Sequence, residues 1–348
     1  MTTTTRWAAL VAGAGLLIAA VPAHAQQQMT ITGWGGAYQA SQREAYFKPF
    51  TEKTGIKVVE EEYNGEVSKV RAMVQSGSVS WDVLDVDSQG AIEGCDQGVF
   101  EVLDWDRLGG RDAFLDGSTT DCAVGSVTYS TLFAYNADIF KEGPTRIADL
   151  FDVEKFPGKR AFQKTPYVLF ELALMADGVP AAEVYDILNT PEGIDRAFAK
   201  LDSIKDHVVW WETGEQPVQL LANGEVVMTT AWNGRIFNAI KDGKNFKTVF
   251  DGQVLDYNFW VVPKGTKNLD LSYEFLKFAI TPEVMATQSR FIAYGPTRTD
   301  AKPDIDEFTF SQLPTAPQNN TNSLVQNYQF WGDHGEELRQ RFNNWLNQ

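Results

Sequence analysis

The stretch MTITGWGGAYQASQREAYFKPFTEKTGIKVVEEEYNGEVSKVRAMVQSGSVSWDVLDVD, residues 29–87, alternates β-prone runs with helical ones. The first strand is predicted at 29–32 and the last at 81–86, and Gly55 and Gly77 end the two helical runs between them. Strand, helix, strand, helix, strand in this order is typical of a mostly parallel sheet with helices on its faces. The stretch therefore predicts an α/β fold.

The same alternation continues along the chain. Thr190 followed by Pro191 predicts a helix that begins with an N-cap and a proline in its first turn. Two α/β units without a Gly/Ser linker indicate a chain that crosses between two lobes more than once. The extended aromatic segments 133–136 and 255–259 are the predicted crossovers. We therefore expect a two-lobed protein with a ligand cleft between the lobes.

The predicted boundaries divide the chain into a leader, two lobes and a C-terminal segment. Residues 1–25 form a signal peptide, 26–134 plus 258–300 form lobe 1, and 135–257 form lobe 2. The C-terminal segment, 301–348, ends in a helix whose apolar stripe packs on lobe 2; the stripe consists of Leu338, Phe342 and Trp345.

The composition is that of an ordinary folded protein. The chain has 348 residues, of which 43% are hydrophobic and 22% charged, and this length suggests about two domains. The formal net charge is −16 and the pI is near 4.7. These values argue against nucleic acid as a partner, because phosphates require a basic surface, and equally against docking on anionic lipid.

The N-terminus predicts export. Arg6 precedes a mostly apolar run over residues 7–21, and the sequence AHA follows at 23–25. This is the pattern of a secretory signal peptide that is cut after about Ala25. A membrane anchor is the alternative, but a span needs about 20 apolar residues and this run is shorter.

Export affects the expected oxidation state of the two cysteines, Cys95 and Cys122. Outside the cytosol an even count favours one structural disulfide between them. A metal site is not expected, since the histidines that follow the leader, His207 and His334, are not near a cysteine.

The sequence carries none of the common catalytic signatures, which include G-x-S-x-G, H-E-x-x-H, the Walker loop and G-x-G-x-x-G. We therefore expect neither an enzyme nor a cofactor. The alternative from a different class is an exported hydrolase that uses a pair of carboxylates. Residues 85–96 partly match an EF-hand calcium loop, but a predicted strand precedes them where a helix is required. A strand end that faces a ligand is the favoured interpretation.

Aromatic residues mark the candidate ligand site. Those near predicted strand ends or turns are Trp34, Tyr38, Trp210, Trp211, Trp232, Tyr257, Trp260 and Tyr294, and we expect about half of them in the core. Trp34 and Trp232 each occur in a glycine-containing predicted turn. Aromatic walls suit a ligand that has an aliphatic body and a cationic end.

Six motifs in order carry a resemblance to a known family. They are WGGAY at 34–38, FTEKTGIKV at 50–58, WDVLDV at 81–86, LANGEVV at 221–227, AWNGR at 231–235 and SYEFLKF at 272–278. Together they resemble the spermidine/putrescine-type solute-binding proteins of bacterial ABC importers, over about residues 26–348. The resemblance implies an α/β, two-lobed periplasmic binding protein fold of type II, a location in the periplasm and no cofactor. It also implies a small-molecule ligand, an inner-membrane ABC permease as partner, and a monomer.

The chain departs from the polyamine pattern where charge matters. Arg235 stands where the resemblance implies an aspartate, Lys164 lies in a segment that is acidic in the family, and Asn258 replaces a further acid. An arginine repels a diammonium ligand but binds a carboxylate well. Asp87, at the end of the third strand, remains available for an ammonium group. We therefore expect an amino-carboxylate ligand similar to γ-aminobutyrate.

The predicted ligand-binding residues are Trp34, Tyr38, Asp87, Trp211, Trp232, Arg235, Asn258 and Tyr294. In this hypothesis Arg235 binds the carboxylate and Asp87 the amine. Two alternatives remain open. In the first, Arg235 pairs with an acid such as Glu212 and never contacts ligand. In the second, the chain binds a polyamine through acids such as Glu212 or Asp256.

Overall fold

The computed structural model describes residues 1–3, 26–140 and 142–348. The predicted signal peptide therefore lies almost entirely outside the described residues. Within the described ranges, no helix is both long and apolar enough to cross a membrane.

The strands belong to one mixed sheet. They are β1 (Gln28–Gly33), β2 (Lys57–Glu62), β3 (Val83–Asp87), β4 (Ala123–Asn136), β5 (Arg160–Gln163), β6 (Val208–Trp211), β7 (Met228–Trp232), β8 (Phe246–Val261), β9 (Gly295–Pro296) and β10 (Ser323–Val325). The main order is β2-β1-β3-β8-β4-β7-β5-β6, with β10 beside β8 and β9 beside β4. The two outer parts, β2-β1-β3 and β7-β5-β6, are parallel, as the strand–helix alternation predicts.

Helices cover the sheet. They are α1 (Gly36–Gln42), α2 (Lys48–Thr54), α3 (Val67–Ser76), α4 (Ser88–Asp96), α5 (Trp105–Leu108), α6 (Ile147–Phe151), α7 (Leu169–Ala176), α8 (Val184–Leu188), α9 (Pro191–Asp202), α10 (Gln216–Ala222), α11 (Asn233–Lys241), α12 (Leu269–Ala279), α13 (Pro282–Gln288), α14 (Glu307–Ser311) and α15 (Tyr328–Leu346). A π-helical turn, Arg43–Phe47, joins α1 to α2, and short 3-10 helices occur at Ala181–Glu183 and Lys205–His207.

Local signals account for several helix ends. The Thr190 side chain accepts a hydrogen bond from the Gly193 N–H at 3.0 Å, as predicted for an N-cap. The first helix starts at Gly36, three residues after the end of β1. The reason is Gly35, whose φ of 66° lets the chain turn directly from β1 into α1.

The two largest hydrophobic cores of the described residues lie on the sheet, one at each end. The first core includes Tyr46, Phe50, Trp260 and Phe275 and packs around β1 and β3. The second core includes Phe133, Phe170, Phe198, Trp331 and Phe342. The long antiparallel strands β4 and β8 run from one core to the other, and both predicted crossover segments lie within these strands. Register shifts interrupt β4 between Gly125 and Val127 and between Thr131 and Phe133.

The C-terminal helix α15 packs on the second core. The Trp210 ring meets Phe342 and Trp345 edge-on, at centroid distances of 5.6 and 6.1 Å. The indole N–H of Trp345 also donates to Asp202 at 2.7 Å. Burial of each large apolar side chain contributes about 1.5–3 kcal/mol, so this stripe docks the helix firmly.

The disulfide is confirmed. Cys95 near the end of α4 is bonded to Cys122 just before β4, with their Cα atoms 5.7 Å apart. The bond ties the helix that follows β3 to the first crossover strand.

Candidate functional site

A cavity of about 180 Å³ lies between the two cores, where the ends of β3 and β7 face the middle of β4 and β8. Most of the predicted ligand-binding residues line it: Trp34, Tyr38, Asp87, Trp232, Arg235, Asn258 and Tyr294. They come from distant parts of the chain, so the fold brings them together. They line one cavity in the structure, and their contact with a ligand stays a prediction.

Trp211 does not line the cavity. Its side chain is fully buried, and its ring meets that of Trp232 edge-on at a centroid distance of 5.8 Å. Trp211 therefore supports the cavity wall from behind. Lys164 also lies outside the cavity, where it pairs with Glu212 at 3.2 Å on the exposed surface.

Aromatic rings form two walls of the cavity. In the first wall, Trp34 and Trp232 approach to 6.2 Å between centroids. In the second, Tyr294 packs against Tyr38 at 5.4 Å and against Tyr129 at 5.8 Å. Rings in these tilted and edge-on arrangements hold each other in place and present apolar surface to a ligand.

Glycine at position 65 makes room for the Trp34 indole. A Cβ atom at Gly65 would come within 2.5 Å of that ring, and the φ of Gly65 is +82°. A side chain is therefore excluded here both by contact and by backbone conformation.

One end of the cavity is acidic. Asp87 is the N-cap of α4 and accepts a hydrogen bond from the Gly90 N–H at 2.7 Å. Asp256 accepts one from the Tyr129 hydroxyl at 3.0 Å and one from the Tyr257 N–H at 2.7 Å. Burial raises the pKa of Asp87 and raises that of Asp256 to about 7, with the charge of Asp87 adding to the effect on Asp256. A bound ammonium group would relieve this repulsion.

The sequence pattern pointed to Asp256 only as an acid for a polyamine. The sequence did carry a signal that Asp256 lies at the site. Asp256 lies two residues before Asn258 on β8, so the two side chains point to the same face of the sheet. Tyr129, which donates to Asp256 from β4, also lines the cavity and was not predicted.

A guanidinium that is paired with a glutamate also lines the cavity. Arg235 lies in the first turn of α11, and only 3% of its side chain is exposed. Its guanidinium pairs with Glu215, donates to the Trp34 carbonyl at 3.4 Å and lies 5.2 Å from the Trp232 ring centroid. Its Nε has no hydrogen-bond partner among the described residues. Arg235 thus pairs with an acid, though with Glu215 and not Glu212, and also lines the cavity.

Several hydrogen bonds cross the cavity and join the predicted lobe 1 to the predicted lobe 2. The Gln89 amide of α4 donates to the Tyr167 hydroxyl at 2.6 Å. The N–H of Ala37 donates to Glu215 at 3.4 Å, so Glu215 binds both sides. The structure therefore holds the cavity in a closed arrangement.

The predicted lobe 2 also contributes the segment 163–168 to the cavity lining. Gln163, Thr165, Tyr167 and Val168 all line the cavity. Val168 has a φ of 64°, which is strained for a β-branched residue, and it is the N-cap of α7. Strained backbone of this kind clusters at ligand sites, because packing around the site enforces it.

Residues 85–96 do not form an EF-hand loop. They are the end of β3 and the helix α4, and Asp87 caps that helix. His207 and His334 do not line the cavity either. What the cavity combines is an acidic end, aromatic walls and a guanidinium, which fits a small molecule with an ammonium and a carboxylate some distance apart.

The chain is similar to known solute-binding proteins. Residues 45–318 match the family described as bacterial extracellular solute-binding protein. The gamma-aminobutyric acid-binding protein of Pseudomonas aeruginosa is 44% identical over 331 residues, which cover 95% of this chain and 94% of that protein. The putrescine/cadaverine-binding protein of the same species is 26% identical over 314 residues, which cover 84% and 85%. A solved structure described as the Atu4243-GABA receptor is 33% identical with a TM-score of 0.81, and the match covers 92% of this chain and 98% of that one.

The predicted resemblance to polyamine-type solute-binding proteins is confirmed, and so is the two-lobed α/β fold. The predicted lobe boundaries and the roles of individual residues stay predictions.

Proposed function

The chain belongs to the bacterial extracellular solute-binding protein family, and from this premise we propose that it captures γ-aminobutyrate or a similar amino-carboxylate for an ABC importer. Family membership makes it a binding component rather than an enzyme. The observation that carries the ligand proposal is the set of charges that line one cavity, which includes the guanidinium of Arg235 and the carboxyl groups of Asp87 and Asp256.

The acidic end would bind the ammonium group. Asp87 and Asp256 face the same cavity, and burial disfavours the simultaneous ionisation of both. An ammonium between them would supply hydrogen bonds and neutralise their charge. The Tyr129 hydroxyl orients Asp256 for this contact.

The guanidinium of Arg235 would bind the carboxylate. Arg235 has a rigid array of donors that matches a carboxylate, and its unpartnered Nε leaves hydrogen-bonding capacity. The aromatic rings of Trp34 and Trp232 would enclose the aliphatic chain between the two charges.

A polyamine is the second candidate, favoured by the two acids in one cavity and by the putrescine/cadaverine-binding relative. A diamine would place its second ammonium beside the ion pair of Arg235 and Glu215, where the buried Arg235 charge, offset only in part by the half-exposed Glu215, repels it. The amino-carboxylate proposal avoids this repulsion.

We also propose how the two lobes move and where the protein is located. The two lobes, with the boundaries predicted above, would open and close about β4 and β8, and an inner-membrane permease would recognise the closed form. We propose that the protein is a periplasmic monomer and that its leader is cut after about Ala25.

Titration calorimetry tests the ligand proposal with four compounds: γ-aminobutyrate, butyrate, butylamine and putrescine. We expect γ-aminobutyrate to bind most tightly, because each of the others lacks one of the two charges or reverses it. Tighter binding of putrescine would replace the proposal with the polyamine function.

Two variants test the ends of the cavity separately. Arg235→Gln and Asp87→Asn should each weaken γ-aminobutyrate binding by about 30-fold or more, which corresponds to the 2 kcal/mol or more lost when one partner of a buried charge pair is removed. Asparagine is also a good N-cap, so α4 is preserved in Asp87→Asn. Arg298→Gln is the matched control, since Arg298 pairs with Asp300 away from the cavity. Unchanged affinity in both cavity variants would overturn the site.

A further inference from the structure

A buried carboxylate lies directly behind the cavity. Asp85, on β3, is completely buried and does not line the cavity. Its two oxygens accept hydrogen bonds from five side chains: Trp34 Nε1 (3.2 Å), Asn258 Nδ2 (2.5 Å), Tyr38 Oη (2.8 Å), Gln42 Nε2 (2.7 Å) and Ser126 Oγ (3.2 Å). Such a concentration of donors on one acid needs a reason beyond packing.

Three of the five donors line the cavity, and they come from separate elements. Trp34 precedes α1, Tyr38 lies within α1, and Asn258 lies on β8. Their other cavity-facing atoms are fixed once the indole N–H, the phenol hydroxyl and the amide are bound to the same carboxylate. The Asn258 amide also lies 3.3 Å from the Tyr38 hydroxyl, which adds to the coupling.

Burial of the Asp85 carboxylate destabilises the folded protein, and this destabilisation favours a functional role for the hydrogen-bond network around it. Burial raises the pKa of Asp85 to about 7, while the hydrogen bonds from Tyr38, Asn258, Ser126 and Gln42 favour its charged form. An isolated carboxylate is strongly destabilising in a protein interior, and an apolar residue at this position would avoid that loss of stability.

We propose that Asp85 is a positioning residue for ligand binding, whose carboxylate holds Trp34, Tyr38 and Asn258 in the orientations that the cavity requires. It would set the affinity without touching the ligand. The inference rests on the proposed function only in taking this cavity as the ligand site.

Asp85→Asn is the informative variant because it keeps the shape of the side chain. Its amide keeps one oxygen as an acceptor but turns the other position into an NH2 donor. That donor must face N–H and O–H groups that already donate, so at least one cavity residue loses its partner and reorients.

Asp82→Asn is the matched control. Asp82 is also buried, just before β3, and accepts hydrogen bonds from the Thr30 N–H at 2.7 Å, Thr266 Oγ1 at 2.5 Å and Asn268 Nδ2 at 3.1 Å. It is a structural acid of the same lobe that contacts no cavity residue among those partners. The same substitution there disrupts a buried network without disturbing the site.

The test combines affinity with a spectroscopic signal that needs no ligand. Dissociation constants for γ-aminobutyrate and for putrescine are measured by calorimetry, and the stability of each variant by urea unfolding. The 19F resonance of 5-fluorotryptophan at Trp34, assigned by its loss in Trp34→Phe, reports the orientation of the indole.

We expect Asp85→Asn to weaken the better-bound probe by about tenfold or more and to shift the Trp34 resonance, since the hydrogen bonds lost involve a charged acceptor. Asp82→Asn should change affinity by less than about twofold and leave the resonance in place, even if its stability falls as far. Equal affinity losses in the two variants, or unchanged affinity and resonance in Asp85→Asn, would overturn the proposal.

A second variant covers the case in which Asp85→Asn does not fold. Gln42→Leu removes a donor to Asp85 that does not itself line the cavity. We expect it to shift the Trp34 resonance and weaken binding by about threefold; no change in either measurement would overturn the proposal. If neither probe binds the wild-type protein, the ligand assignment fails, and the resonance still decides the role of Asp85.

Discussion

The buried acid Glu171 in α7 should make the stability of this protein depend on pH. Glu171 is completely buried, and its Oε1 accepts hydrogen bonds from the Tyr185 hydroxyl at 2.9 Å and the Trp331 indole N–H at 2.6 Å. Its other oxygen, Oε2, has no hydrogen-bond partner of normal geometry in the part of the chain that the structure describes. Glu171→Gln keeps the accepting oxygen and replaces the unpartnered one with an NH2 group.

The magnitude follows from the pKa of Glu171 in the folded protein. Burial raises it from 4.5 to about 7, although both side-chain hydrogen bonds favour the charged form. Because the folded pKa is the higher one, the folded state binds more protons, and its stability falls as the pH rises from about 4.5 through about 7. One pKa unit corresponds to 1.36 kcal/mol, so the loss that Glu171 causes by pH 8.5 is about 3 kcal/mol.

Glutamine has no proton to lose, so the variant should not show this loss. We expect Glu171→Gln to be more stable than the wild type by about 1 kcal/mol or less at pH 5 and by about 3 kcal/mol at pH 8.5, as measured by urea unfolding. The exposed variant Glu212→Gln is the control and should follow the wild type at both values. A stability difference between Glu171→Gln and wild type that is the same at pH 5 and pH 8.5 would refute the reasoning.

Two further predictions concern the cavity wall and the disulfide. Gly65→Ala should weaken ligand binding by about tenfold or more, because the new Cβ atom would displace the Trp34 indole. Gly77→Ala is the control: Gly77 has a φ of +66° and open space around its Cβ position, so this variant should lower only the stability. Calorimetry measures the affinity and thermal unfolding the stability of both variants. Replacing Cys95 and Cys122 together by serine should lower the free energy of unfolding by about 3–4 kcal/mol and leave affinity unchanged, which denaturant titration and calorimetry measure; a large affinity loss would contradict this.

Local signals made several features predictable. The pair Thr190 and Pro191 starts α9 with the expected cap, and the aromatic stripe that ends at Trp345 packs as the helical spacing indicated. Trp232 and Arg235 were predicted together because the family resemblance puts them in one motif, which the structure places at the end of β7 and in the first turn of α11. These inferences need only neighbours along the chain.

Other features of the site depended on pairings that spacing cannot specify. Asp256 faces the cavity because it lies opposite Tyr129, and register shifts in β4 occur on both sides of that pair. A slip of one residue would turn Asp256 to the other face of the sheet. Trp211 ends the strand β6 and was expected in the cavity, but it is fully buried behind Trp232, whose ring lies between it and the cavity.

By itself the sequence determined the α/β class, the two-lobed organisation and the paired cysteines, which follow from periodicity, composition and short motifs. The opposite charges expected at the two ends of a ligand came from the family resemblance and stay a prediction. Only the tertiary structure decided that Glu215 is the partner of Arg235 and that Asp85 gathers donors from distant segments. The physical reason is that these contacts depend on how β3, β8 and α1 pack, and packing converts small shifts of register or angle into different sets of neighbours.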